Sequence, residues 1–192
     1  MRTGDAFDFG VNLFDMGESS FADCTRVFTA LAAEGLGPAR SRVQLVSADA
    51  KERLGLSIDP GKEQASRVRV TFLTPTEIKG AIQPDFGVLL ARIRDRVSTI
   101  RVLYGAGPLD IDFKAFGQKA AAVRMTRCEL VRTEVSRVSG RTGQRHSLGG
   151  FTGAAEYEGD LAPFLPYLEI ARWTGVGRHT VWGNGEIAYE TF

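Results

Sequence analysis

The sequence is poor in side chains that hold metals or make disulfides. Among 192 residues there are two cysteines, Cys24 and Cys128, and two histidines, His146 and His179. Cysteines this far apart form neither a CxxC pair nor a disulfide framework, which fits a reducing cytosol and predicts a cytoplasmic protein. There is no HExxH and no clustered His/Cys set. Beyond Asp110 and Asp112, which a solvated loop explains, no carboxylate constellation stands out. The sequence therefore predicts no metal and no cofactor.

Long apolar runs are also missing. None approaches the ~20 residues needed to span a bilayer, and "MRTGDAFDFG" lacks the apolar stretch of a signal peptide. No membrane partner is expected. Charge of one sign is not in excess either: 24 Lys and Arg against 23 Asp and Glu leave +1. The total does not announce a polyanion binder, so distribution has to decide. A GxGxxG cofactor loop needs a strand before it and a helix after it. The C-terminal glycine run has the reverse order. The GxSxG elbow of serine hydrolases is absent.

What is present is patterning. Phe7, Phe9, Val11 and Leu13 alternate with Asp8, Gly10 and Asn12, predicting a half-buried strand. Ser20 and Asp23 open a helix carrying Cys24, Val27, Phe28 and Leu31, and Gly35 can end it. "SRVQLVSAD" reads as a second strand, so residues 5–49 run β-α-β. Asp59-Pro60-Gly61 marks a turn or linker. Val68, Val70 and Phe72 then alternate with Arg67, Arg69 and Thr71. Asp85 opens a helix with a long stripe from Phe86 to Tyr104. A connection with a short helix near Phe116 follows. "RCELVRTEVSRVS" is strand-like, with a bulge expected near Leu130–Val131. "GFTGAAEYE" alternates. Asp160 caps a last helix in which Pro166 fits poorly, and Ile187 and Tyr189 lie on a closing strand.

Residues 66–192 therefore read β-α-β-β-α-β, the α+β ferredoxin-like pattern. Residues 1–65 read as a partial second ferredoxin-like unit.

Both histidines fall in polar, glycine-flanked segments rich in arginine, "SGRTGQRHSLGG" and "GVGRHTVWGNG". Arg127, Arg132, Arg137, Arg141 and Arg145 lie in one strand and the loop after it. Arg137, Ser139, Arg141 and Gln144 are placed to donate to phosphates. A solvated hairpin face, balanced by Glu129 and Glu134, accounts for them equally well. Four glycines, Gly175, Gly177, Gly183 and Gly185, imply tight turns or a backbone that lies close to something else.

The run "SRVSGRTGQRHSLGGFTGAAEYEGDLAPFLPYLEIARWTGVGRHTVWGNGEIAY", with "GDAFDFGVNLFD", "GLGPAR" and "TFLTPTEIKG" before it, resembles CRISPR precursor-RNA processing endoribonucleases of the RAMP superfamily. The resemblance covers most of the chain. It implies a pair of ferredoxin-like domains and CRISPR repeat RNA as partner. Cleavage would be metal-independent and leave a 2′,3′-cyclic phosphate. It places the C-terminal glycine-rich loop against RNA or the partner domain. Other CRISPR effector subunits are a further implied partner, and a homodimer is left open.

The resemblance assigns proton transfer to His146 or His179. It assigns RNA binding to Arg137, Ser139, Arg141, Gln144, Arg145, Gly175, Gly177, Arg178, Gly183 and Gly185. Relatives usually carry more chain ahead of "GDAFDFGVNLFD", and a catalytic histidine, where they have one, usually lies on an early helix there. They also often carry lysine where this chain has Arg178-His179. Two alternatives accompany the endoribonuclease. One is a non-catalytic RNA-binding subunit or truncated fragment. The other is a ferredoxin-like assembly module that binds no RNA.

Overall fold

The computed structural model describes residues 4–14, 20–37, 39–49, 54–61, 64–81, 83–139 and 142–192. The side chains of Arg137 and His146 fall outside that description, as does all of Arg141. The chain divides into two compact units, Met1–Lys51 and Glu52–Phe192. The boundary precedes the one expected after residue 65. The reason is packing: Ile58 and Ala65 lie against the core of the second unit.

The first unit holds helix α1, Phe21–Glu34, which starts after Ser20 and closes at Gly35 as expected. Gly35 sits at φ 102°, where a Cβ would overlap the Arg40 carbonyl. The strands expected on either side do not form among the described residues. Phe7, Phe9, Val11 and Leu13 are 43–55% exposed rather than half-buried. Phe9 meets Phe28 edge-on and Phe7 stacks on Phe9. Alternation makes a segment able to pair, but a strand exists only once a neighbour takes its N–H and C=O groups. Among the described residues of this unit the pairing is an isolated bridge from Leu36 to Ser41, both in the segment after α1.

The second unit is built as expected. Strands β1 (Arg67–Thr76), β2 (Arg124–Thr133), β5 (Gly150–Glu158) and β6 (Ile187–Thr191) make one antiparallel sheet in the order β2-β5-β1-β6. Helices α2 (Phe86–Leu103), α3 (Phe113–Ala121) and α4 (Leu165–Thr174) complete the β-α-β-β-α-β order. A short hairpin, β3 (Ser136–Val138) and β4 (Arg145–Ser147), stands between β2 and β5.

Register explains the core. Val68, Val70 and Phe72 pair with Tyr157, Ala155 and Gly153 and point at the helices, where Phe86, Leu89, Leu90 and Ile93 are fully buried. Fully burying each such side chain is worth ~1.5–3 kcal/mol. The opposite sheet face is charged. Arg69 bridges Glu129 at 2.9 Å and Glu156 at 2.7 Å, and Arg127 reaches Glu129 at 2.6 Å. This face carries neighbouring opposite charges rather than a one-sign field.

Two local expectations change. The irregularity in β2 falls between Met125 and Arg127, earlier than Leu130–Val131. Beyond it the alternation runs on, leaving Val131 67% exposed and Leu130 packed on the core. Pro166 causes no kink, because a 3-10 turn, Ala162–Phe164, precedes the helix and α4 begins at Leu165. Pro166 thus lies in the first turn, where its missing N–H has no partner to lose.

Candidate nucleic-acid interface

The end of β1 is held by the glycine-rich loop. After Phe72 the β1–β5 register shifts before pairing resumes at Thr76, and Pro75 has no N–H to give the ladder. The loop supplies the donors the strand no longer meets: Gly185 N–H donates to the Pro75 carbonyl at 3.1 Å, and Glu186 N–H donates to Thr74 Oγ1 at 2.9 Å. At the neck, Val176 N–H donates to the Gly185 carbonyl at 2.8 Å, and Val176 is fully buried. From this anchored neck Arg178, His179 and Trp182 project.

Two of the glycines are required by contacts within the chain itself. Gly177 (φ 83°) and Gly185 (φ 76°) adopt conformations that L side chains avoid, and a Cβ on either would overlap the carbonyl oxygen of Glu77 or Val176. Gly175 lies against Thr180. Gly183 (φ 85°) faces open space. The close approach inferred from sequence is therefore met by the chain's own backbone at Gly177 and Gly185.

Arg178 is fixed by Glu77. Its N–H donates to the Glu77 carbonyl at 3.0 Å and its guanidinium to the carboxylate at 2.8 Å. His179 adopts a left-handed conformation, φ 63°, unusual for a residue other than glycine. This turns its ring back so that Nε2 lies 3.4 Å from the other Glu77 oxygen. The ring also stacks on Trp182, with centroids 5.1 Å apart and planes at 5°. The contact with Glu77 is an ion pair when the imidazole carries a proton.

The hairpin reaches the same place. Leu148 is buried and its N–H donates to the Val135 carbonyl at 2.7 Å, extending the β3–β4 pairing. Asn184 of the loop donates through Nδ2 to the Leu148 carbonyl at 2.8 Å. Gly149 and Gly150 let this segment pass: a Cβ would crowd the Thr133 carbonyl in one case and overlap the Thr76 backbone in the other.

Between hairpin and loop lies an open groove of about 870 Å³, whose walls include Arg132, Arg145, Arg178, His179 and Trp182 with Glu77 and Glu134. Three guanidinium groups and a histidine thus face two carboxylates.

Of the residues named from sequence, Arg132, Arg145, Arg178 and His179 line this groove. Ser139 and Gln144 lie at the hairpin turn, where Ser139 N–H donates to the Gln144 carbonyl at 2.8 Å and Ser139 Oγ accepts from Thr142 N–H at 3.2 Å. They are not among the groove walls. Arg137 and His146 face each other across the β3–β4 ladder as backbone partners. Arg141 lies outside the described residues. Glu77 was missed. Its signal was adjacency, two residues after the Thr74-Pro75 pair near the end of β1 and inside the family-like segment "TFLTPTEIKG".

Among the described residues no group of three or more His, Cys, Asp or Glu side chains could hold a metal ion, and no helix is long and apolar enough to cross a membrane.

Residues 70–187, more than half of the chain, match the family described as CRISPR-associated endoribonuclease Cas6. The chain belongs to the Cas6 family. Among solved structures, Thermus thermophilus Cas6 (TTHB231) is similar with a TM-score of 0.51 and 19% identity, over 67% of this chain and 55% of that one. A Cas6 (TTHB231) product complex gives 0.60 and 18% over 88% and 71%. A Cas6 (TTHA0078) product complex gives 0.55 and 18% over 90% and 73%. At these identities the likeness concerns the fold. The chain spans 55% to 73% of the length of these relatives. No curated protein matches it. The matched Cas6 region takes in every residue lining the groove, from Thr76 to Trp182.

Proposed function

We propose that the chain binds CRISPR repeat RNA in this groove and cleaves precursor RNA there by transesterification. The observation that carries the reading is the Asn184–Leu148 hydrogen bond. It joins the two arginine- and histidine-bearing segments, distant in sequence, into one arginine-lined groove within a Cas6 fold.

The reaction asks for three things. A base removes the ribose 2′-OH proton, and the 2′-oxygen attacks the adjacent phosphorus. The P–O5′ bond breaks, an acid protonates the departing 5′-oxygen, and a 2′,3′-cyclic phosphate remains. Proton transfer of this kind is worth ~10²–10⁴ in rate, and fixed cations stabilise the phosphorane charge. His179 takes a proton-transfer role, held by Glu77 and Trp182. Arg178 and Arg145 contact phosphate oxygens. His146, Arg137, Arg141, Ser139 and Gln144 extend the contact along the hairpin. Gly183 leaves the loop surface open to a phosphate, and Gly175, Gly177 and Gly185 set its shape. The chemistry can run by proton transfer and charge stabilisation without a metal ion.

The test is cleavage of 5′-labelled repeat RNA by the full chain in EDTA, with the product's 3′ end typed by enzymes that distinguish a cyclic phosphate. H179A is expected to slow single-turnover cleavage by roughly 10²-fold or more. If H179A and H146A both cut as fast as the parent, the histidine assignment is wrong.

A second reading has its own observation. The chain spans 55–73% of the length of the compared relatives, and on this reading the groove binds RNA without cleaving it. Salt-sensitive binding with no product under any condition would select it.

A further inference from the structure

Trp182 is not explained by phosphate binding or proton transfer. It is 52% exposed, it belongs to the groove wall, and its neighbour Val181 is 79% exposed. This half-exposed indole shares the groove wall with three arginines and is not part of the core cluster. Nor is it on a floppy tip. It ends a 3-10 turn, Thr180–Trp182, flanked by left-handed His179 and Gly183. Trp182 N–H donates to the His179 carbonyl at 2.9 Å, and Gly183 N–H to the Thr180 carbonyl at 3.1 Å. The parallel stack on His179 supports the indole from behind. Glu77 in turn holds the histidine. The aromatic surface is thus pre-set, so little side-chain freedom is left to lose on binding.

We propose that Trp182, backed by His179, is a stacking platform for one unpaired nucleobase of the bound RNA. This deepens the proposed function and rests on its RNA-binding part. The chemistry fits a base better than any other groove occupant. A nucleobase offers a flat π-face to the indole while its flanking phosphates reach Arg178, Arg132 and Arg145 in the same groove. A base within a duplex has both faces covered by its neighbours, so the occupant is single-stranded or extruded. Selection by stacking alone is tolerant of base identity and favours larger ring systems. The platform therefore selects for an unpaired position, with adenine bound better than uracil.

Intrinsic fluorescence tests the proposal directly. The chain has two tryptophans, Trp173 on α4 and Trp182, so W173F leaves Trp182 as the only reporter. The probes are single-stranded octa-adenylate and octa-uridylate, and octa-adenylate with central abasic positions. The expected result is quenching by octa-adenylate, weaker quenching by octa-uridylate and little by the abasic strand. W182L should weaken octa-adenylate binding roughly 5- to 100-fold, while W182F keeps affinity within about threefold. The salt slope of binding should be unchanged in W182L, because that slope counts phosphate contacts. Leucine keeps apolar bulk but not the π-face, so the leucine–phenylalanine contrast separates stacking from folding.

Binding to the parent with neither quenching nor a W182L effect would overturn the platform and leave the RNA-binding reading standing. No binding of any RNA to the parent would overturn both.

Discussion

Arg178 is tied to Glu77 twice, by its main-chain N–H to the Glu77 carbonyl and by its guanidinium to the Glu77 carboxylate. The second carboxylate oxygen faces His179. One acidic residue at the end of β1 therefore aims the two groups assigned to phosphate and proton. It also sits where a phosphate would seek the same cation.

E77Q should separate these effects. Glutamine still accepts from Arg178 but removes a negative charge from the groove, so RNA affinity is expected to hold or tighten. Single-turnover cleavage should fall roughly 10- to 100-fold through loss of histidine orientation, less than the loss expected for the proton-transfer group itself. Binding and rate measured on the same substrate make the split visible. If affinity and rate fall together by the same factor, Glu77 only holds the loop in shape.

The glycines give a graded stability series. G177A and G185A combine a left-handed φ with overlap against backbone carbonyls, so each should lose roughly 3 kcal/mol or more. G183A meets open space and should lose only the conformational part, about 1 kcal/mol. Urea denaturation with a constant m-value tests the order. Equal losses at all three positions would refute the carbonyl contacts.

These contacts also show what could be read from the sequence. The second unit was legible because alternation in β1 and β5 and the stripe from Phe86 to Val97 are local patterns that their own core satisfies. The glycine run was legible as close approach. Its partner was not, since nothing in "GVGRHTVWGNG" names Glu77 or Val176 as the atoms approached. Arg145, Arg178 and His179 were found because charge clusters beside glycine are visible in sequence, whereas Glu77 lies about a hundred residues away and becomes a neighbour only through the β1–loop hydrogen bonds. The N-terminal segments failed for the opposite reason. Their alternation is genuine, but no neighbouring strand in that unit pairs with them among the described residues.

Tyr157 links sheet to helix: its fully buried hydroxyl donates to the Pro84 carbonyl at 3.0 Å, just before α2. Burial pushes its phenol well above the ordinary value, with smaller contributions from Cys128 and Asp85. The folded state thus holds a proton that the unfolded chain releases near pH 10. Stability tied to this group is complete below that pH and falls above it, by up to about 1.4 kcal/mol per pH unit. Y157F should be less stable at pH 7 by about 1–2 kcal/mol, because the carbonyl loses its donor. Its stability should decline less steeply than the parent's between pH 10 and 11. Parallel curves would mean that the hydroxyl does not carry the alkaline sensitivity.

The groove arginines predict the ionic-strength dependence of RNA binding. Each phosphate neutralised on a single strand contributes about 0.7 to the slope of log affinity against log salt. R178A and R145A should each reduce that slope by roughly this amount and weaken binding similarly for adenylate and uridylate octamers, because phosphate contacts carry no sequence. R67A, on the charged sheet face, has its guanidinium 3.8 Å from Glu156 and 3.9 Å from Glu158, and should leave the slope as it is. The comparison is decisive because all three variants lose the same formal charge. If R67A lowers the slope as much as R178A does, RNA lies on the open face of the sheet, and the groove between hairpin and loop is not where it binds.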